Sequence, residues 1–473
     1  MYELRDYQKQ ASDAAIEYFH KNKTRTRRSA NGVIVAPTGS GKSLCIADIA
    51  NRLEGKVLVF QPRKELLIQN YEKYISYGNP ASVYSASLNR KEIGDVTFAT
   101  IGSLIDNKKD ALREPDKFKE FNYCIIDECH EVPPQDTSMY QKVLSQIGVP
   151  VLGLTATPIR LKQYNFPEKH SKLNMLDRMR PRVFSHYVHI TQIQELVKRG
   201  YFAKTEYQNV DFDRSQLKIN TTGADFTEES MTLALKEQGT NDRIVEAVRY
   251  LRQNGRKHIV VFTPTVAEAQ YIAYHGGGKV VHANTKKKDR KNILDKFKEG
   301  IVPFVANVGI LGIGFDFPAL DTVILARPTM SLAMYYQQLG RAVRPHPDKD
   351  KALIVDFVGN YKKFGRVEDL EIRQGDHGWG IYSKGVLLTN RDIAVDDNQY
   401  KEKKKSNKPL AETTMDFGKH SGKKVKDVPH DYLHWVWKNV DSKSWTKNVL
   451  NYIKEQNLFD KKERLADKQP VNN

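Results

Sequence analysis

The chain has 473 residues, a formal charge of +18 and a pI near 9.4, with 75 basic against 57 acidic residues. That length suits two or three domains, and the basic excess favours a polyanionic partner such as nucleic acid. No apolar run is long enough to span a bilayer, the N-terminus lacks a signal-peptide core, and Cys45, Cys124 and Cys129 form neither a disulfide framework nor a zinc-ligand spacing, so a cytoplasmic protein with reduced thiols and no membrane or zinc association is expected.

Taken in chain order, short apolar runs at Val33–Val35, Val57–Phe60, Val96–Ala99, Tyr123–Ile126 and Val151–Leu154 alternate with helical segments. Such alternation predicts a parallel sheet covered by helices. Leu161 to Pro181 is basic, proline-punctuated and poorly periodic, and reads as a mobile excursion. Ile190 to Gly200 reads as a helix stopped by Gly200. A second half repeats the design with runs at His258–Phe262, Lys279–His282, Phe304–Ala306, Thr322–Leu325 and Ala352–Phe357. Asp396 to Thr413 is charged, lysine-rich and nearly without large apolar residues, as a linker would be. Residues 414–473 hold Trp435, Trp437 and Trp445, three of the four tryptophans, enough for a small appended module.

Two motifs carry chemistry. Ala36-Pro-Thr-Gly-Ser-Gly-Lys-Ser43 lies between the apolar run Val33–Val35 and a helical pattern from Leu44. A strand, a glycine-rich turn and a helix N-terminus make a phosphate-binding loop, although Ala36 replaces the first glycine of the pattern. Lys42 would reach the β- and γ-phosphates and Ser43 would hold Mg²⁺. Asp127 and Glu128 follow directly on the apolar run Tyr123–Ile126. An acidic pair at the carboxyl end of a strand suits a metal ligand, Asp127, beside a base that orients water, Glu128. A non-catalytic scaffold with a relic nucleotide site is the alternative from another class, and intact Lys42, Asp127, Glu128, Arg341 and Arg344 argue against it.

With further motifs in order over roughly residues 4–360, the chain resembles the superfamily 2 helicases. Leu4-Arg-Asp-Tyr-Gln8 resembles the adenine-recognition motif, which would put Arg5 and Gln8 at the base. Gln61-Pro-Arg-Lys-Glu-Leu66, Thr97 to Ser103, Thr155-Ala-Thr157 and Val260 to Thr263 resemble motifs Ia, Ib, III and IV. Asn307 to Asp316 and Gln337 to Arg344 resemble motifs V and VI. The resemblance implies an α/β fold of two tandem RecA-like parallel-sheet domains, 1–205 and 206–393, then a linker, 394–413, and a small C-terminal accessory module, 414–473. It implies ATP and Mg²⁺ as cofactors, with Thr38, Gly39, Gly41, Gly314 and Asp316 also contacting nucleotide. Arg341 and Arg344 would be arginine fingers. Arg63, Thr100, Ser103 and Thr263 would contact a nucleic-acid backbone.

The tail adds Met415-Asp-Phe-Gly-Lys-His-Ser-Gly-Lys-Lys424 and Asp427 to Trp435, with 17 basic and 10 acidic residues from Lys401 onward. It resembles a small domain appended to some bacterial and phage DNA-processing proteins, and its lysines, Lys423 and Lys424 foremost, suit backbone contact. Together with the DECH-type core, Asp127-Glu128-Cys129-His130, and the Thr155-Ala-Thr157 form of motif III, this tail most resembles the phage branch-migration helicases, which implies ATP-dependent remodelling of branched DNA in a host cytoplasm. An RNA helicase is the enzyme alternative, because the ATPase motifs do not distinguish the sugars.

Overall fold

Short apolar runs become the central strands of two parallel sheets. The computed structural model describes residues 3–22, 31–106, 111–135, 137–164, 170–311, 317–376, 378–390, 392–393, 415, 418–420, 422–439, 449–450, 452–453 and 458. They fall into two units, Met1–Gln399 and Tyr400–Asn473.

The first sheet of the larger unit runs in the order His186–Ile190, Gly32–Val35, Val151–Thr155, Tyr123–Asp127, Val57–Gln61, Val96–Thr100, Ser82–Ser85 and Arg90–Lys91. All neighbours are parallel except the last pair. Successive residues point to opposite faces. Ile34, Val57, Val59 and Ile125 pack on one side with Ala15, Phe19, Ile46 and Ile49 from the helices Asp6–Asn22 and Lys42–Arg52. Val33, Val35, Leu58, Phe60 and Ile126 pack on the other with Val143, Leu144 and Ile147 from the helix Met139–Ile147. Burial on both faces is why these strands read as unbroken apolar runs.

The second sheet is wholly parallel, in the order Lys204–Asn209, Lys351–Asp356, Thr322–Leu325, Ile259–Phe262, Phe304–Asn307 and Lys279–Val281. Its helices include Thr240–Gln253, Val266–Gly276, Lys287–Lys298 and Leu332–Leu339. A three-stranded antiparallel sheet, Leu370–Gly375, Gly378–Ser383 and Val386–Leu387, follows. It is tied to the first half where Gln192 donates to the Ile372 carbonyl at 2.6 Å and accepts from its amide at 3.1 Å.

Two expectations need correction. Leu161 to Pro181, read as a poorly periodic mobile excursion, contains regular structure: Ile159–Tyr164 and His170–Met175 pair as antiparallel strands, with Ile159, Leu173 and Met175 buried. Basic and apolar residues alternate over lengths too short to register as periodic. The segment from Ile190 is a helix only over Ile193–Lys198, because Ile190 ends an edge strand. That strand is only partly covered, so it lacks an apolar run.

The smaller unit has a core of its own. Met415, Val425, Val428, Leu433, Val436, Trp437, Val449, Leu450 and Ile453 are buried together around the helix His430–Asn439.

Candidate nucleotide site and nucleic-acid cleft

The phosphate loop is held open by two glycines. Gly39 and Gly41 have φ of +87° and +88°, where a side chain is strained. The helix Lys42–Arg52 starts after Gly41 with no side-chain cap, leaving its first N–H groups for an anion. Gln8 Nε2 donates to the Ser40 carbonyl at 2.7 Å, Tyr7 Oη donates to it at 2.9 Å, and Gln8 Oε1 accepts from the Arg5 amide at 2.9 Å. Gln8 therefore braces the loop through its Nε2 and its own first turn through its Oε1, and is not among the residues lining the cleft beside it.

That cleft, about 520 Å³, is lined by Arg5, Thr38, Gly39, Gly41, Lys42 and Ser43 on one side and by Gln337, Arg341 and Arg344 on the other. The volume lies within the usual range for small-molecule sites, roughly 300–1,000 Å³. Asp127, Glu128 and Tyr201 also face it. Tyr201 lies under the guanidinium groups of Arg5 and Arg199, 4.8 and 5.0 Å from its ring centre, and 5.2 Å from the Tyr7 ring. Gly314 and Asp316 lie outside the described residues.

The acidic pair is buried and asymmetric. Asp127 accepts from Asn70 Nδ2 at 2.9 Å and from the Glu128 amide at 2.9 Å, and burial followed by the Glu128 charge pushes its carboxyl up. Burial also acts to raise Glu128, but Lys42 and His130 outweigh it and hold that carboxyl down. Glu128 takes a left-handed backbone, φ +48°, unusual for a residue with a side chain and a recurrent feature of functional sites. Its carboxylate lies 3.4 Å from Lys42 Nζ.

These groups fit ATP and Mg²⁺. A buried carboxylate, Asp127, with Ser43 beside the loop suits a cation that takes one or two protein ligands and completes its shell with phosphate oxygens and water. The metal would supply charge neutralisation at the β- and γ-phosphates. Among the described residues no group of three or more His, Cys, Asp or Glu is arranged to hold a metal by itself.

The two candidate finger arginines come from the second half. The turn after Leu332–Leu339 presses on the loop: a Cβ on Gly39 would sit 3.0 Å from Arg344 Nε, and one on Gly340 would sit 2.6 Å from Thr38 Cβ. Arg341 is 8% exposed, and burial lowers its pKa to about 10, so it stays charged near neutrality. Lys349, absent from the sequence reading, anchors this turn. Its ammonium donates to the carbonyls of Pro318, Leu320 and Ala342 at 2.7, 2.9 and 2.8 Å.

A second cleft, also about 520 Å³, joins the two halves and is lined by Arg63, His130, Arg160, Thr263, Asn307 and Arg327, among others. His130 connects it to the first. Its Nδ1 lies 2.8 Å from Thr155 Oγ1 and 3.4 Å from Glu128 Oε2. Thr155 Oγ1 in turn accepts from the Thr157 amide. Arg160 donates to the carbonyls of His130 and Val132 at 3.1 and 2.6 Å.

Of the proposed backbone contacts, Arg63 and Thr263 face this cleft. Thr263 is 2% exposed and its hydroxyl donates to the Thr265 and Asn307 carbonyls. Thr100 and Ser103 do not line it. Their hydroxyls are 2.8 Å apart, and Ser103 accepts from the Ala86 amide. Lys423 and Lys424 are exposed in the separate small unit.

Comparison with known proteins settles the family. Residues 1–160 match the model described as "Type III restriction enzyme, res subunit", and 241–346 match "Helicase conserved C-terminal domain". The chain belongs to the superfamily 2 helicases. Within that superfamily of ATP-dependent helicases and translocases, it is 29% identical to a "51.5 kDa protein" of Lactococcus phage (isolate 7-9), over 75% of this chain and 70% of that one. It is 25% identical to "Putative ATP-dependent helicase IRC3" of Saccharomyces cerevisiae, over 75% of this chain and only 51% of the relative. The fold of a putative HsdR subunit fragment of a type I restriction enzyme from Vibrio vulnificus superposes with a TM-score of 0.56 at 18% identity, covering 77% of this chain and 66% of that one. Residues 403–444 of this chain match a third model, "Putative quorum-sensing-regulated virulence factor".

Proposed function

We propose that this chain is an ATP-driven DNA helicase or translocase acting on branched DNA. The observation that carries the reading is the pair of clefts that both halves share, linked through His130. One cleft joins the phosphate loop to Arg341 and Arg344, and the other holds Arg63, Arg160 and Arg327. Glu128 would accept a proton from the attacking water while Lys42 and the two fingers stabilise charge on the transferred phosphoryl group. Closure around ATP then moves the walls of the second cleft, because its lining comes from the same two halves. The basic chain favours a phosphate backbone there, and the DNA-processing resemblance of the tail, with Lys423 and Lys424, favours a branched DNA substrate with one arm held by the module.

Purified protein should be compared on forked DNA, four-way junctions, blunt duplex and RNA duplex with ATP. Preferential unwinding of the branched DNAs supports the reading. Equal or better unwinding of RNA duplex selects the RNA-helicase alternative, and failure on every substrate with no nucleic-acid-stimulated ATP hydrolysis rules out the enzyme reading.

A further inference from the structure

The helix of the small unit presents two side-chain sets. Leu433, Val436 and Trp437 are buried in its core, at 3%, 0% and 1% exposure. Tyr432 is partly buried against that core, and Trp435, three positions on, is 52% exposed, with the two rings stacked 5.7 Å apart at 22°. A turn holds Lys419 against this stack. The Met415 amide donates to the Lys423 carbonyl at 2.7 Å, the Gly422 amide donates back to Met415 at 2.8 Å, and Gly422 has φ +83°. The turn sets Lys419 5.3 Å from the Tyr432 ring centre and the His420 ring 4.6 Å from it. Lys423 is exposed in the same turn.

Resting on the reading of DNA as substrate, we propose that Tyr432 and Trp435 form a stacking platform for the bases of single-stranded DNA, with Lys419 and Lys423 set for the flanking phosphates. A large apolar ring left half in water beside cations matches a ligand with flat neutral faces and negative charge. Base stacking on aromatics inside a basic groove is how sequence-independent single-strand binding works. Duplex DNA has its base faces occupied already, and an apolar protein surface would have to desolvate the lysines without compensation. The platform suits a displaced strand at a fork.

The test is photocrosslinking of the full chain to a short single-stranded oligonucleotide containing 5-bromodeoxyuridine, with the adduct mapped by mass spectrometry. An adduct within residues 427–438 is expected. Its yield should fall at least 5-fold in Trp435→Ala, because one base stack commands a factor of about 5 to 100, and should recover in Trp435→Phe. The thermal midpoint should not change, since the side chain is largely outside the core. Adducts confined to residues 1–399, with ATP hydrolysis still stimulated by DNA, would overturn the platform and leave the helicase reading standing. An unchanged adduct yield in Trp435→Ala would also overturn it and return the face to another occupant, such as a partner protein. Absence of both adducts and stimulation would overturn the function itself, and the platform with it.

Discussion

Replacing Arg341 by alanine tests whether the second half completes the nucleotide site. The guanidinium is 8% exposed and lines the cleft opposite Lys42, on the turn whose Gly340 abuts Thr38. So little exposure leaves its field poorly screened by solvent. Arginine fingers contribute about 10³–10⁵ in turnover. Arg344 remains in Arg341→Ala, so the expected loss is about 10²–10⁴ in kcat, or about 3–5.5 kcal/mol of barrier at about 1.36 kcal/mol per decade. ATP affinity should change no more than about threefold, because a contact made in the transition state leaves ground-state binding nearly alone. Stability should change little, since the variant removes a buried cation with its desolvation cost. The assay is DNA-stimulated hydrolysis across an ATP titration, with affinity from a fluorescent nucleotide and stability from thermal unfolding. Near-normal kcat in Arg341→Ala and in Arg344→Ala would refute the reasoning.

Glu128→Gln and Lys42→Ala should both abolish hydrolysis yet separate in nucleotide binding: the first retains bound ATP, the second loses affinity, as read by filter retention of labelled ATP. Lys349→Met should cost about 2–4 kcal/mol in urea unfolding, because the buried carbonyls of Leu320 and Ala342 lose a charged donor at about 1–3 kcal/mol for each acceptor left unsatisfied, with partial compensation by relaxation, while the Pro318 carbonyl can turn to water. It should also lower kcat, since Ala342 lies between the two fingers, and an unchanged unfolding midpoint would contradict the anchor. Deleting residues 411–473 should preserve basal ATPase activity, weaken junction binding and flatten its salt dependence, as fewer phosphates are neutralised. A truncated chain that processes forks and junctions as well as the full protein would assign the tail another role.

The central strands were legible because both faces are covered, giving unbroken apolar runs such as Val57–Phe60. The edges were not. His186–Ile190 and Lys204–Asn209 carry polar residues along their length, which hides them from any apolar-run criterion. The phosphate loop and acidic pair were legible because their spacing is local. The roles of Thr100, Ser103 and Gln8 depend on which neighbours their polar atoms find, and only the fold shows Ser103 on the Ala86 amide and Gln8 on Ser40. Tyr201 and Lys349 had no motif to announce them. A glycine-stopped helix before Tyr201 and a single lysine before a strand are ordinary features until the chain brings the first to the nucleotide cleft and buries the second against three carbonyls.

The central claim is that nucleic acid in one shared cleft and ATP in the other are coupled. The most direct measurement is steady-state ATP hydrolysis by the purified chain as single-stranded and forked DNA are titrated in, for the wild type and for His130→Ala. The coupled arrangement predicts a low basal rate, saturable stimulation by DNA, and a His130→Ala variant that still binds ATP and DNA but is stimulated weakly. A wild-type rate that does not respond to DNA, or a His130→Ala response equal to the wild type, would contradict it.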